Sequence, residues 1–380
     1  MIKPEAWKIH NPSGSRRVLA TKRLVGERWL EVLAAFDCRV ELYDAEDMFG
    51  EAELIEAIGD QCDGALGQLN EPWNEHVLTR FSAAGGKVIS SYAVGVNNID
   101  LGCASRLGIA VCNTPGVLTE ATAELALALV FAAIRRIAEG DRYMREGRFL
   151  GWLPQLMLGR QITGRTLGLF GAGRIGQTVA RALAGGFGMD VLYFNPHPRP
   201  ELEAYVADLA EVAGRHGQPV PSIRRTTDPD ELFVHGDVLV LLSSYSPQLH
   251  HLVDARRLSL MKPAAVLVNA SRGPVIDEAA LIAHLTTHPE FTAGLDVFEF
   301  EPRLVEGLTD RPNVVLSPHT GSATLESRSN MATLAALNCA GTLSRWPANT
   351  AVSTNELATG PLRQLVPSLL NAKELDWPLA

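Results

Sequence analysis

Cysteine is scarce in this chain and scattered. The five residues, Cys38, Cys62, Cys103, Cys112 and Cys339, are odd in number and form no C-x-x-C pair. That pattern excludes a disulfide framework and a zinc ribbon, and reads as reduced, mostly buried thiols. Positive charge is also short: 34 Lys and Arg against 43 Asp and Glu give a net charge of −9. There is no basic footprint for nucleic acid, so any anionic ligand must be met by local donors. Long apolar runs are missing as well. The longest, residues 125–134, is about half of a membrane span, and residues 1–20 mix charge with turn formers and lack the apolar centre of a secretory signal. These absences predict a soluble cytoplasmic protein with neither a nucleic-acid nor a membrane partner. What is present is an ordinary globular balance, 46% hydrophobic and 20% charged. Its 380 residues leave room for two domains of roughly 100–200 residues.

Between residues 17 and 68, short apolar runs alternate with amphipathic stretches: 18–21, 29–36, 40–43, 54–58 and 64–67. This β-α-β-α-β rhythm continues through 87–90 and 110–112, and each run is bounded by Gly or Asn, as buried parallel strands ending in binding loops would be. Thr119 opens one long helical pattern, 120–147, expected to bridge two domains. A second β-α rhythm starts at Thr166 and runs through 191–194, 238–242, 265–269, 293–297 and 314–317. Residues 323–343 read as helix, and the Pro-, Asn- and Ser-rich end predicts a loosely ordered tail. The fold class is α/β, with parallel sheets in both parts.

Residues 166–170 are an apolar strand that runs straight into Gly171-Ala172-Gly173-Arg174-Ile175-Gly176, with a helical pattern following at 178–183. In a dinucleotide-binding turn the first glycine permits the tight bend, the second lets the backbone approach a pyrophosphate, and the third lets the helix pack on the strand. The next strand ends at Asn195, the position expected to read the adenosine ribose. An acid there would repel a 2′-phosphate; Asn195 does not, and His197 and Arg199 follow, so the segment favours NADPH slightly over NADH. The alternative is a stiff Pro-rich turn carrying a solvated Arg199.

Three residues with different chemistry lie after later strands. Arg272 is a planar bidentate donor suited to a carboxylate, Glu301 is an acid beside Pro302, and His319 is the natural acid/base. Taken singly, an Arg, Glu or His at a strand end is usually a salt bridge, a solvated loop residue or a capped turn. Together they match the reduction of a 2-oxo acid. That reaction needs a cation for the carboxylate, a proton donor for the forming alkoxide, and a carboxylate that keeps the donor protonated.

Several longer stretches make a resemblance specific: residues 62–64, 93–100, 113–120, 151–154, 271–278 and 294–298. With them the chain resembles the D-isomer-specific 2-hydroxyacid dehydrogenase family, and within it the plant-type hydroxypyruvate and glyoxylate reductases, from about residue 17 to 341. The resemblance implies two doubly wound, Rossmann-like domains with the active site in the cleft between them. The substrate domain would be formed by 1–118 and the returning 322–380, and the dinucleotide domain by 119–321. It implies NAD(P)H-dependent reduction of hydroxypyruvate or glyoxylate, with Arg272, Glu301 and His319 catalytic; the long helical pattern at 120–147 makes a homodimer the expectation. The Val94 and Gly95 amides would cradle the substrate carboxylate, and Trp152 would stand at the active-site mouth of a neighbouring subunit. Thr122, Arg174, Ile175, Ala270, Ser271, Asp296, His319 and Gly321 would face the cofactor. Two departures stand out: Ser243-Ser244-Tyr245 replaces a common His-Pro, and the chain ends Trp377-Pro378-Leu379-Ala380 instead of the plant enzymes' peroxisomal Ser-Lys-Leu.

His284 and His288, four apart on a predicted helix, have no further ligand to complete a metal set, and are expected to be surface histidines; His250-His251 is a loop pair of no greater promise. Competing functions are a phosphoglycerate dehydrogenase-like enzyme and, from another class, a dinucleotide-sensing corepressor-like binding protein. A formate dehydrogenase is disfavoured because Glu301 stands where that chemistry uses Gln.

Overall fold

The computed structural model describes residues 3–349, 360–361 and 363–379. The chain divides into two compact units, Met1–Leu118 with Ser322–Ala380, and Thr119–Gly321.

The first unit begins β1(Trp7–His10), β2(Arg16–Ala20), α1(Arg28–Ala35), β3(Cys38–Tyr43), α2(Glu51–Ile58), β4(Gly64–Gly67), α3(Glu75–Ala83), β5(Val88–Ser91), α4(Leu101–Arg106) and β6(Ala110–Cys112). Its sheet order is β1-β3-β2-β4-β5-β6, parallel except for β1, which pairs antiparallel with β3. β4 and β5 are buried at every position, which is why they read as unbroken small or apolar runs.

The second unit carries α5(Thr119–Ile134), α6(Ile137–Arg145), β7(Thr166–Phe170), α7(Arg174–Phe187), β8(Asp190–Phe194), α8(Pro200–Arg215), β9(Ile223–Thr226), α9(Asp230–His235), β10(Val238–Leu241), α10(Ala255–Leu260), β11(Val266–Asn269), α11(Glu278–Thr287), β12(Thr292–Leu295) and β13(Val314–Leu316). Its seven strands are parallel throughout, in the order β13-β12-β11-β10-β7-β8-β9. β7 and β10 lie side by side at the centre, and all four side chains of β10 are fully buried, each worth about 1.5–3 kcal/mol. The α/β reading of both rhythms holds.

The long helix expected at 120–147 is two helices. Arg136 adopts a left-handed backbone (φ 54°) between α5 and α6 and donates from Nε and Nη2 to the two carboxylate oxygens of Glu139 (2.7 and 2.8 Å). α12(Leu325–Leu343) closes the first unit, buried along Met331–Thr342 where it packs on β4, β5, β6 and α1.

The loosely ordered tail is a second correction for the part the structure describes; residues 350–359, 362 and 380 lie outside it. Val366 and Asn371 are buried, and Leu370 N–H donates to Val111 O (2.8 Å). Asn371 takes the Val111 N–H on Oδ1 (2.9 Å) and donates from Nδ2 to Ile109 O (2.9 Å). These bonds satisfy the otherwise open edge of β6, a long-range pairing that composition does not announce. All five cysteines are buried and unpaired. No helix among the described residues is long and apolar enough to cross a membrane.

Candidate active site

β7 ends in the glycine turn. Gly171 has φ +99°, and a Cβ there would lie 2.6 Å from Ser243 N; a Cβ on Gly176 would lie 2.2 Å from Gly171 O. Only glycine fits either place. Gly173 differs: a Cβ there meets nothing within 4 Å, so the space over it is open where the α7 amides begin. Open space in front of a helix N-terminus suits a pyrophosphate. Arg174 and Ile175 form the first turn of α7, with Arg174 exposed. The Ser243 hydroxyl is buried without a hydrogen-bond partner among the described residues, so the Ser that replaces the common His still offers a polar group beside the turn.

Asn195 is buried, and its Nδ2 donates to His197 O (2.8 Å), closing its own turn. Arg199 does not trail into solvent: its Nε donates to Ala172 O (2.8 Å) inside the glycine turn. Arg225, at the end of β9, donates to Asn195 O (3.0 Å) and Pro196 O (2.8 Å). Sequence reading missed it, because only the sheet order puts β9 beside β8. Neither arginine forms an ion pair among the described residues: Arg225 lies on the Asn195-Pro196 backbone and Arg199 on the glycine turn.

Arg272, Glu301 and His319 follow β11, β12 and β13, three adjacent strands, and the structure brings them together. Asn269 shapes the first loop, accepting from Ser271 N–H (3.0 Å) and Ser271 Oγ (2.7 Å) while donating to Arg272 O (2.9 Å). Ala270 and Ser271 lie in this turn. Arg272 Nη1 donates to Ser271 O (2.7 Å). Burial pulls the guanidinium below its usual range, and the Glu301 charge opposes that shift. His319 Nδ1 lies 2.9 Å from Glu301 Oε2, and Glu301 Oε1 accepts the Phe298 N–H (2.8 Å). Burial pushes the Glu301 carboxyl up, but the bond and charge of His319, the Phe298 N–H and the Arg272 charge outweigh it. The carboxyl is held below the ordinary range.

His319 has a left-handed backbone (φ 53°), held by its N–H donating to Asp296 O (2.8 Å). The Asp296 carboxylate takes Thr320 N–H (2.7 Å) and Gly321 N–H (2.9 Å), so it anchors the His319 loop. Burial raises its pKa against those bonds. Buried Thr122 on α5 adjoins Gly321.

A second group of acids, not anticipated from the sequence, supports the Glu301 loop. Glu278 Oε1 accepts Glu299 N–H (2.9 Å), Glu299 Oε2 accepts Glu278 N–H (3.2 Å), and Glu299 Oε1 bonds His251 Nε2 (2.7 Å). His251 is therefore a structural partner, while His250 stacks on it. His284 and His288 are half-buried and ring-stacked at 4.0 Å, rather than surface side chains. Burial, then the His288 charge, brings His284 down to about 4. Val94 and Gly95 belong to the first unit, where Asn113 Nδ2 donates to Val94 O (2.7 Å). Trp152 is 82% exposed on the second unit.

Comparison with known proteins accords with this arrangement. The family described as D-isomer specific 2-hydroxyacid dehydrogenase, NAD binding domain, matches residues 127–321. A glycerate dehydrogenase of Arabidopsis thaliana, named as peroxisomal, is 43% identical over 100% of both chains, and one of Cucumis sativus is 45% identical over 91% of each. The crystal structure of an NADPH-dependent glyoxylate/hydroxypyruvate reductase from Sinorhizobium meliloti superposes with a TM-score of 0.72 at 30% identity, covering 90% of this chain and 98% of that one. With a nicotinamide-dinucleotide turn and the Arg-Glu-His group on adjoining strand ends, the chain belongs to the D-isomer-specific 2-hydroxyacid dehydrogenase family of oxidoreductases.

Proposed function

We propose that this protein uses NAD(P)H to reduce hydroxypyruvate to D-glycerate, glyoxylate to glycolate, or both. The observation that carries the reading is the 2.9 Å pairing of His319 Nδ1 with Glu301 Oε2 beside the Arg272 guanidinium. The reduced nicotinamide, when bound, supplies hydride to the carbonyl carbon. Arg272 holds the substrate carboxylate with its planar fork and polarises the adjacent carbonyl. His319 gives the proton from Nε2 to the carbonyl oxygen, and Glu301 orients the ring through its bond to Nδ1. Hydride and proton together complete the new C–H and O–H bonds, and the neutral imidazole is reprotonated from solvent. The Val94 and Gly95 amides are the proposed carboxylate cradle.

The names of the plant relatives and of the Sinorhizobium structure support the substrate choice. The test is loss of NADPH or NADH absorbance with hydroxypyruvate, glyoxylate and a phosphorylated 3-hydroxy-2-oxo acid. Turnover of the phosphorylated acid alone would favour a phosphoglycerate dehydrogenase-like enzyme, and binding of dinucleotide without any turnover a corepressor-like protein. Arg272→Lys keeps the charge but loses the fork, and is expected to lower kcat/KM roughly a hundredfold.

For the cofactor, NADPH is expected to serve at least as well as NADH, supported by Arg225 on the Asn195 turn and Arg199 on the glycine turn, neither ion-paired among the described residues. A homodimer is proposed from the apolar arm around Leu150 and Trp152, 96% and 82% exposed, which a second copy would cover; light scattering reads the mass. The cytoplasm is the proposed compartment, on the five unpaired thiols. One relative is peroxisomal by name, and cell fractionation decides between the two.

A further inference from the structure

The loop after β4 is built around a buried carboxyl group that the reduction does not use. Glu71 is 1% exposed. Its Oε2 accepts the Gln68 N–H (2.9 Å) and the Trp73 indole N–H (3.2 Å), and its Oε1 is bonded to the hydroxyl of Thr21, the residue after β2. Trp73 is fully buried, with its indole nitrogen over Gly67, where a Cβ would come within 3.1 Å of it. One side chain therefore joins the ends of two paired strands, β2 and β4, and closes the 68–73 loop on itself.

That loop in turn holds the next one. Asn98 Nδ2 donates to Gln68 O (2.9 Å) and Glu71 O (2.8 Å). Trp73 N–H donates to Asn98 O (3.0 Å), and Asp100 N–H to Trp73 O (3.0 Å). The far end of residues 94–98 is thus fastened to the loop that Glu71 shapes, and the near end is held by Asn113 on Val94 O.

We propose that Glu71 is a positioning residue for the substrate: through Gln68, Trp73 and Asn98 it sets where the Val94 and Gly95 amides stand. This rests on the reading of those amides as the carboxylate cradle. A hydrophobic side chain of similar size would leave the Thr21, Gln68 and Trp73 donors unpaired in the interior, and the loop would have to open to satisfy them. The groups facing Glu71 are those three donors and the Lys22 ammonium, which is itself opposed by Asp47 and Glu46. Burial pushes the carboxyl up to about 7 against those bonds.

The experiment compares Glu71→Met, Glu71→Gln and Gly95→Pro in the full chain. Glu71→Met is expected to raise KM for the 2-oxo acid about tenfold, with kcat within about threefold of the parent and dinucleotide affinity unchanged. The dinucleotide turn and the Arg272, Glu301 and His319 group belong to the other unit. Glu71→Gln should restore KM to within about twofold, because its carbonyl accepts from Gln68 and Trp73 and its amide donates to Thr21. A parent-like KM for Glu71→Met, failure of Glu71→Gln to rescue, or parallel losses of kcat, cofactor affinity and Tm would each overturn the proposal. Gly95→Pro removes one cradle amide. If it raises KM while Glu71→Met does not, the cradle stands and the role of Glu71 falls; if neither raises KM, the cradle reading falls with it. Should Glu71→Met not fold, Thr21→Val removes a single donor, and the same rise in KM at constant kcat, about two- to threefold, is required.

Discussion

Glu301 is held at both oxygens, by His319 Nδ1 at 2.9 Å and by the Phe298 N–H at 2.8 Å, while His319 Nε2 makes no hydrogen bond among the described residues. In the proposed reduction this leaves one ring nitrogen for the substrate.

Since the proposed reduction consumes a proton, the rate should fall on the alkaline side. Glu301 stays anionic across the neutral range because the bond and charge of His319, the Phe298 N–H and the Arg272 charge hold it ionised against burial. Glu301→Gln is expected to move the alkaline limb of kcat/KM to lower pH and leave cofactor affinity intact. His319→Ala should remove most turnover at every pH. An unchanged profile for Glu301→Gln would reduce Glu301 to a turn residue before Pro302.

Arg199 bonds the glycine turn at Ala172 O and Arg225 bonds the Asn195 turn, so each should weaken NADPH more than NADH when changed to Ala. Asn195→Asp should swing the ratio of kcat/KM values towards NADH, because a carboxylate there opposes a 2′-phosphate. Equal losses for both cofactors in the two Arg variants would place them outside the phosphate site.

The glycine turn separates fold from binding. Gly176→Ala drives a Cβ to 2.2 Å from Gly171 O and should lower Tm, whereas Gly173→Ala meets no protein atom and should leave Tm within about 2 °C. Gly173→Ala should instead weaken dinucleotide binding at least about tenfold, by filling the open space. Measuring both quantities for both variants is the check, and unweakened binding in Gly173→Ala would move the pyrophosphate elsewhere.

Glu71 makes stability depend on pH. Burial lifts its carboxyl from an ordinary 4.5 to about 7, so the folded state keeps a proton that the unfolded chain has lost. Stability from this group is full below 4.5 and declines as pH rises to about 7, on the order of 3 kcal/mol in all. Denaturant unfolding at pH 5 and pH 8 should therefore show a smaller difference for Glu71→Gln than for the parent. An equal difference would mean that Glu71 does not titrate in this interval.

Much of this is local and can be read along the chain. Strands buried on both faces leave continuous apolar runs, as at 238–241, and a glycine turn between strand and helix admits few other uses. The residues following each strand, among them Arg272, Glu301 and His319, are where a parallel sheet presents its ligand side. Other features depend on partners that are distant in sequence. β1, a half-exposed edge without an apolar run, is a strand because it pairs with β3. Residues 363–379 are ordered by the open edge of β6.

By itself, then, the sequence determines which elements form and which chemical groups follow them, because backbone periodicity and glycine sterics act over a few residues. Only the tertiary structure decides that Arg225 reaches Asn195, that His251 meets Glu299, and that Thr21, Gln68 and Trp73 converge on Glu71. Those meetings depend on strand order and register, which bring together groups up to 50 residues apart and leave no periodic trace in the chain.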